Sequence, residues 1–271
     1  MKKIIALVLA AIMMLALFTG CAEKKETLKV AISPDFAPME FVDPTKTGQD
    51  QYVGFDVFLA KYLAEELGME LEIMPMDFGA CQAAVAMGTV DMSISGFSWT
   101  EERAENYNLS DYYYAGDNET EQVLITTAEN AGKFTDPASV DGLKVGAQAA
   151  SLQEWLVSDQ LPDGLCVPFE DLDQGLALLQ QGRIDAMAVA EGNAAAILAS
   201  QSEFTAASFR FTVSEELTDN LILLQKGNHE LTEAVNALLA RAEAAGHYPK
   251  WYVQALEQAG ITLEDPASTS E

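Results

Sequence analysis

One short pattern occurs twice in this chain, and it constrains the fold more than any other feature. Gly88-Thr89-Val90-Asp91-Met92 and Gly182-Arg183-Ile184-Asp185-Ala186 each stop a helical stretch and open a strand. A glycine in that place suits the left-handed backbone that ends a helix. Each copy closes a run of alternating elements. In the first run, 28–32 reads as a strand, and Phe55, Phe58, Leu59, Tyr62, Leu63 and Leu67 then recur at helical spacing. Asp56 stands in that helix's first turn and Gly68 at its stop, Leu71 and Ile73 begin a second strand, and 80–87 forms a second helix. The second run repeats the order, with strands at 143–147 and 165–167 and helices at 152–157 and 174–181. Strands alternating with helices argue for α/β architecture, a parallel-dominated sheet flanked by helices. Two such runs imply two lobes with a cleft between them.

The chain path follows from the segments in between. Polar 116–121 reads as one crossover strand and 214–220 as the return, which leaves a strand at 221–224 and a helix at 230–245, closed by Gly246, on the first lobe. The stretch 248–259, with Trp251, is expected to pack along that lobe's surface. The expected organisation is lobe 1 at 28–116 and 219–263, lobe 2 at 117–218, a linker at 22–27 and a frayed tail at 264–271. Two crossovers between rigid lobes make a hinge.

The strand after the first glycine stop ends in distinctive chemistry. Val90, Met92 and Ile94 alternate with Asp91, Ser93 and Ser95, and Gly96 then lets the backbone come close to whatever sits beyond. Ser98 offers a hydroxyl. Thr100 suits a helix cap with Glu101 and Glu102 in the first turn, and Arg103 presents a planar donor fork matched to a carboxylate. Ligands of open α/β sheets bind beyond the carboxyl ends of the strands. The bland alternative is a surface arginine paired with Glu101 or Glu102.

At the N-terminus, Lys2 and Lys3 precede an apolar run over 4–18. At helical rise that run reaches roughly 22 Å against a hydrocarbon core of about 30 Å, so it reads as a signal peptide within 1–21 rather than a stable span. Charge bounds the partners: 15 Lys+Arg against 42 Asp+Glu give a net charge of -27, which repels phosphate backbones and argues against nucleic-acid binding. Cys81 and Cys166 fall in different lobes and are expected as free thiols. With two histidines, His229 and His247, both near the C-terminus, neither a metal site nor a Cys/His nucleophile pair is supported, and no cofactor is expected.

Five stretches, in order, carry a family resemblance: Asp35-Phe36-Ala37-Pro38; Val53-Gly54-Phe55-Asp56; Met76-Asp77-Phe78; Gly88-Thr89-Val90-Asp91; and Thr100-Glu101-Glu102-Arg103 with Asn108-Leu109-Ser110-Asp111-Tyr112-Tyr113. From about Leu28 to about Gly260 the chain resembles the extracellular solute-binding proteins of ABC importers, family 3, the polar amino-acid type. The resemblance implies a two-lobe periplasmic-binding-protein fold of type II that closes on a small carboxylate-bearing solute. A separate permease and its ATPase would supply translocation and energy, and the binding protein would act as a monomer. It also implies that Phe36 and Phe78 sandwich the solute, that Ser95, Gly96 and Ser98 form a hydrogen-bonding edge, and that Arg103 holds the carboxylate together with Ser151 at a helix start. Thr19-Gly20-Cys21 resembles a bacterial lipobox, with Phe18 where an aliphatic residue is usual. That implies lipidation of Cys21 and anchoring to the outer face of a bacterial membrane.

The resemblance breaks at three positions. Ala190 stands where α-amino-acid binders carry an aspartate, Leu152 where many members have a threonine, and Ser33 where binders of basic amino acids have an aspartate. Glu191, one residue later, and Asp35, from the other lobe, are candidates to replace the missing counter-charge; a solute without an α-ammonium is the third. Ser33 disfavours lysine or arginine. Two rival functions remain open at this level: a secreted dehydratase-like enzyme using a cleft carboxylate such as Glu191 as general acid, and a ligand-sensing partner of a separate receptor.

Overall fold

A computed structural model describes residues 25–114, 121–162, 165–214, 217 and 219–261. The expected signal segment with Cys21, most of the first crossover and the tail lie outside the described residues.

The first run comprises β1 (Thr27–Ile32), the short strands β2 (Asp35–Phe36), β3 (Glu40–Val42) and β4 (Tyr52–Val53), and helix α1 (Phe55–Glu66). It continues through β5 (Glu70–Pro75), α2 (Phe78–Ala86), β6 (Met92–Phe97), α3 (Glu101–Asn106) and β7 (Tyr107–Leu109). The second run is β8 (Gln122–Thr127), β9 (Val145–Gln148), α4 (Leu152–Gln160), β10 (Cys166–Phe169), α5 (Leu172–Gln180), β11 (Ala186–Ala190), α6 (Glu191–Ser200) and β12 (Phe204–Arg210). The chain ends in β13 (Leu221–Gln225), α7 (His229–Ala244) and α8 (His247–Ala259).

Ten of these strands build two five-stranded sheets of the same plan, ordered β5-β1-β6-β13-β7 and β10-β9-β11-β8-β12, and β2, β3 and β4 form a small three-stranded sheet of their own. In each five-stranded sheet, the run's first parallel strand is flanked by two parallel neighbours, and an antiparallel strand follows. The antiparallel strand of the first sheet, β13, arrives after the whole second sheet has been made. The chain therefore passes out to a second lobe and returns.

The duplicated signature has a common physical cause. Gly88 and Gly182 both adopt left-handed backbone, φ +67° and +65°, which only glycine enters cheaply. Val90 and Ile184 are buried. The aspartate of each copy accepts a backbone N–H beside the neighbouring parallel strand: Asp91 Oδ2 from Lys29 at 2.7 Å and Asp185 Oδ2 from Lys144 at 2.8 Å. One tetrad thus stops a helix, plants a core side chain and ties down the adjoining strand.

The first sheet packs on α1 and α2, and α8 packs in turn on α1 and α7. Phe55, at 0% exposure, stands with its ring centroid 5.8 Å from that of Tyr248 and 6.1 Å from that of Trp251, so 248–259 docks on the first lobe as expected, and does so as a helix. Helix α2 begins at Phe78 rather than at residue 80, because Asp77 holds the extended backbone of a helix cap. Cys81 is buried and Cys166 half-buried, and both are free. No helix among the described residues is long and apolar enough to cross a membrane.

Candidate functional site

A narrow cavity of about 40 Å³ lies where the C-terminal ends of β1, β6, β9 and β11 meet, walled by residues of both lobes. Arg103 reaches it from the short helix α3, which Thr100 caps by accepting the Arg103 N–H at 3.1 Å. Arg103 is 4% exposed. Nη1 donates to the Ser98 carbonyl at 2.6 Å, Nη2 to the Ala150 carbonyl at 2.8 Å and Nε to Gln82 Oε1 at 3.3 Å. The rings of Phe97 and Phe78 flank it, with centroids 5.2 and 5.7 Å away. All three acceptors are neutral, and among the described residues no carboxylate stands within ion-pair distance. Burial pushes its pKa down to about 10, with the charge of Glu102 opposing. A buried cation held by carbonyls retains N–H groups and charge for an incoming anion. The alternative of a surface pairing with Glu101 or Glu102 does not occur.

The other expected residues divide into those the cleft gathers and one it does not. Phe36, Phe78, Ser95, Gly96, Ser98, Ser151 and Asp35 all line the cavity. Phe78 also belongs to the core, 4.7 Å from Phe97. Gly96 has φ +58°, a left-handed backbone that favours glycine, and a Cβ there would come within 3.1 Å of the Phe36 ring, which would have to give by a few tenths of an ångström. The Gly96 N–H is taken by Asp56 Oδ2 at 3.1 Å. Ser151 caps α4, its hydroxyl accepting from the Glu154 N–H at 3.2 Å. Glu191 is the residue left out. It opens α6 on the flank of the second sheet, 4.0 Å from Arg210 Nη2, while Ala190 faces the cleft. The strand ends at Ala190, and Glu191 turns away from the site where a replacement counter-charge would be needed.

Asp35 spans the lobes. Its Oδ2 accepts from the Leu172 N–H at the start of α5 (2.8 Å) and from Gln148 Nε2 (3.1 Å), while Oδ1 accepts from Ser33 Oγ (3.0 Å). Burial raises its pKa above the ordinary value, with the Asp171 charge adding to the rise and the bonds from Leu172 and Ser33 opposing it. Asn193 Nδ2 to the Ala37 carbonyl at 2.8 Å adds a further crossing bond. Ala150, with φ +60°, turns its carbonyl toward both Arg103 and, at 3.4 Å, Gln82. The lobes are therefore drawn together in this conformation.

Sequence reasoning missed a buried acid pair behind the cleft wall. Glu40 and Asp56 are 1% and 0% exposed. The Ser95 hydroxyl donates to Glu40 Oε1, and Tyr113 Oη donates to Asp56 Oδ2 at 3.0 Å. Burial pushes both pKa values up: Glu40 well above its usual range, with the Asp56 charge adding to the rise, and Asp56 to about 7. Glu40 Oε2 and Asp56 Oδ1 are buried without a hydrogen-bond donor, and the two carboxyls are close enough to perturb each other's titration. A proton shared between them satisfies both. Asn220, Gln122, Gln148 and Gln153 also line the cavity and were not singled out beforehand. Nothing in their local sequence marks them.

The pattern that defines the bacterial extracellular solute-binding proteins, family 3, matches residues 28–258. The arginine-binding extracellular protein ArtP of Bacillus subtilis is 35% identical over 161 residues, which cover 57% of this chain and 58% of that protein. The histidine-binding periplasmic protein of Salmonella typhimurium is 28% identical over 262 residues, 92% of this chain and 95% of that one. Among solved structures, the amino acid ABC transporter substrate-binding protein AbpA of Streptococcus pneumoniae, bound to L-arginine, superposes with a TM-score of 0.77 at 31% identity, over 86% of this chain and 95% of that one.

Proposed function

This chain belongs to the bacterial extracellular solute-binding proteins of family 3, and from that premise we propose that it captures a small carboxylate-bearing solute, an amino acid or a close analogue, for an ABC importer. The observation that carries the reading is the buried Arg103 guanidinium, facing a two-lobed cleft with neutral acceptors only. Relatives named for arginine and histidine place amino acids in the solute class. Phe36 and Phe78 supply apolar walls, and Ser98 and the start of α4 at Ser151 supply polar groups beside the arginine; helix N-termini suit anions. Closure about the two crossovers buries the solute between the lobes, and the closed form is what the permease recognises. The protein itself captures and presents, and its partners translocate.

A thermal-shift screen of amino acids, keto acids, dicarboxylates and small peptides tests this directly. A solute at about 100 times its dissociation constant adds roughly 2.7 kcal/mol, and a response confined to carboxylate-bearing compounds is the expected outcome. A flat screen would contradict the reading.

The N-terminal segment completes the proposal. The short apolar run ending at Gly20-Cys21 supports cleavage before Cys21 and lipidation of its thiol, which tethers the binding protein near its permease. Mass spectrometry of membrane-extracted protein should find a diacylglyceryl mass on Cys21 as the first residue. An unmodified Cys21 inside a longer mature chain would rule the anchor out.

A further inference from the structure

The cleft is short of free negative charge. Of its lining residues only Asp35, Glu40 and Arg103 are charged types. Both carboxyls are engaged: Asp35 by two donors from the second lobe and by Ser33 of its own, and Glu40 by the Ser95 hydroxyl, with burial and the Asp56 charge holding its pKa well above the usual range. Ala190 closes the second-lobe strand without a charge. What the cavity offers instead is amide chemistry. One amide stands apart: Asn220, 7% exposed, has its buried Nδ2 without a hydrogen-bond partner. It sits beside the end of β6, 3.9 Å from where a Cβ on Gly96 would lie, and its backbone carbonyl is fixed by the Tyr113 N–H at 2.8 Å.

An unpaired buried N–H is costly and calls for an acceptor. Rotated by half a turn, the same group would present its oxygen, so Asn220 offers what any amide offers, a donor and an acceptor side by side. A carboxamide on the solute complements that pair. A cationic group at that same end of the solute would need a free carboxylate beside Asn220, and among the described residues none lines the cavity there.

We propose that Asn220 reads a group of the solute other than the carboxylate that Arg103 holds, and that the solute is a carboxylate carrying an uncharged carboxamide rather than a cationic side chain. This rests on the solute-binding reading above and narrows it. Asn220 is a specificity residue: its side-chain Nδ2 has no hydrogen-bond partner among the described residues, so changing it is expected to leave the fold intact.

Calorimetric titration of wild type, Asn220→Ala and Asn220→Asp with 4-carbamoylbutanoate, L-glutamine and L-arginine tests the proposal, with circular dichroism confirming that each variant folds. Expected are binding of both amides by wild type, with arginine at least about tenfold weaker. Asn220→Ala should weaken the amides about tenfold or more and shift arginine less than about threefold, and Asn220→Asp should reverse the preference. Tightest binding of arginine by wild type, or amide affinity unchanged in folded Asn220→Ala, overturns the inference. If neither amide binds but other carboxylates stabilise the protein in the thermal-shift screen, the inference falls and the solute-binding reading stands. If no carboxylate stabilises it, both fall.

Discussion

At the scale of single residues, the structure separates groups that hold the cleft from groups free to meet a solute. Glu40 and Asp56 belong to the first kind. Their folded pKa values lie above the unfolded ones, so the stability they contribute is fully present below about pH 4 and is lost as pH rises through about 7 for Asp56. The slope can reach about 1.4 kcal/mol per pH unit for one proton. Glu40→Gln keeps the shape, gives Asp56 Oδ1 a permanent donor and should flatten that decline, leaving the variant at least as stable as wild type at pH 8. Thermal melts of both proteins from pH 4 to 8 check this, and a loss of stability equal at every pH would refute it. Arg103 was legible in the sequence because a strand end, a cap and a planar cation fall within a few residues. Glu40 and Asn220 were not, because a residue's burial against a distant partner leaves no local pattern. Glu191 misled for the same reason: its direction is set by where β11 ends and α6 begins.

Secondary elements show where periodicity carries information. Helix α1 and strand β1 were readable because they pair one buried face with one more polar face, and β6 because apolar and hydroxyl side chains alternate along it even though both of its faces are buried. Helix α6 and strand β12 went unread. Ala194, Ala195 and Ala196 give α6 little contrast between faces, and β12 shifts register between Ala206 and Arg210, which breaks the period of two. The first crossover was assigned at 116–121, of which only Glu121 is described. The duplicated tetrad yields the sharpest test at this scale. Removing either aspartate carboxylate leaves a strand-edge N–H without its partner, so Asp91→Ala and Asp185→Ala should each cost about 1–2 kcal/mol, or several degrees of melting temperature for a chain of this size. Denaturant unfolding of both variants measures it. Unchanged stability in both would mean that the tetrad's aspartate does nothing for the sheet.

For the whole molecule, two lobes of the same strand order are drawn together by a small set of crossing hydrogen bonds. Asp35 provides two of them and acts as a latch, in contrast to the ligand counter-charge considered for it from sequence. Asp35→Ala should move the solute-free protein toward an open form, seen as a larger radius of gyration in small-angle scattering, and should weaken solute binding by removing part of the closed population. An unchanged radius together with unchanged affinity would show that the latch has no influence. The acidic coat, net -27, keeps such a protein soluble and repels anionic surfaces without naming the solute.

The central claim is that Arg103 is the anchor of a solute carboxylate, and one measurement addresses it most directly: calorimetric titration of wild type and Arg103→Ala with whichever solute gives the largest thermal shift. A charge-assisted hydrogen bond contributes about 1.5–3 kcal/mol, so the variant should bind at least tenfold to a hundredfold more weakly while its circular dichroism remains that of the folded protein. A folded Arg103→Ala that keeps wild-type affinity would contradict the account.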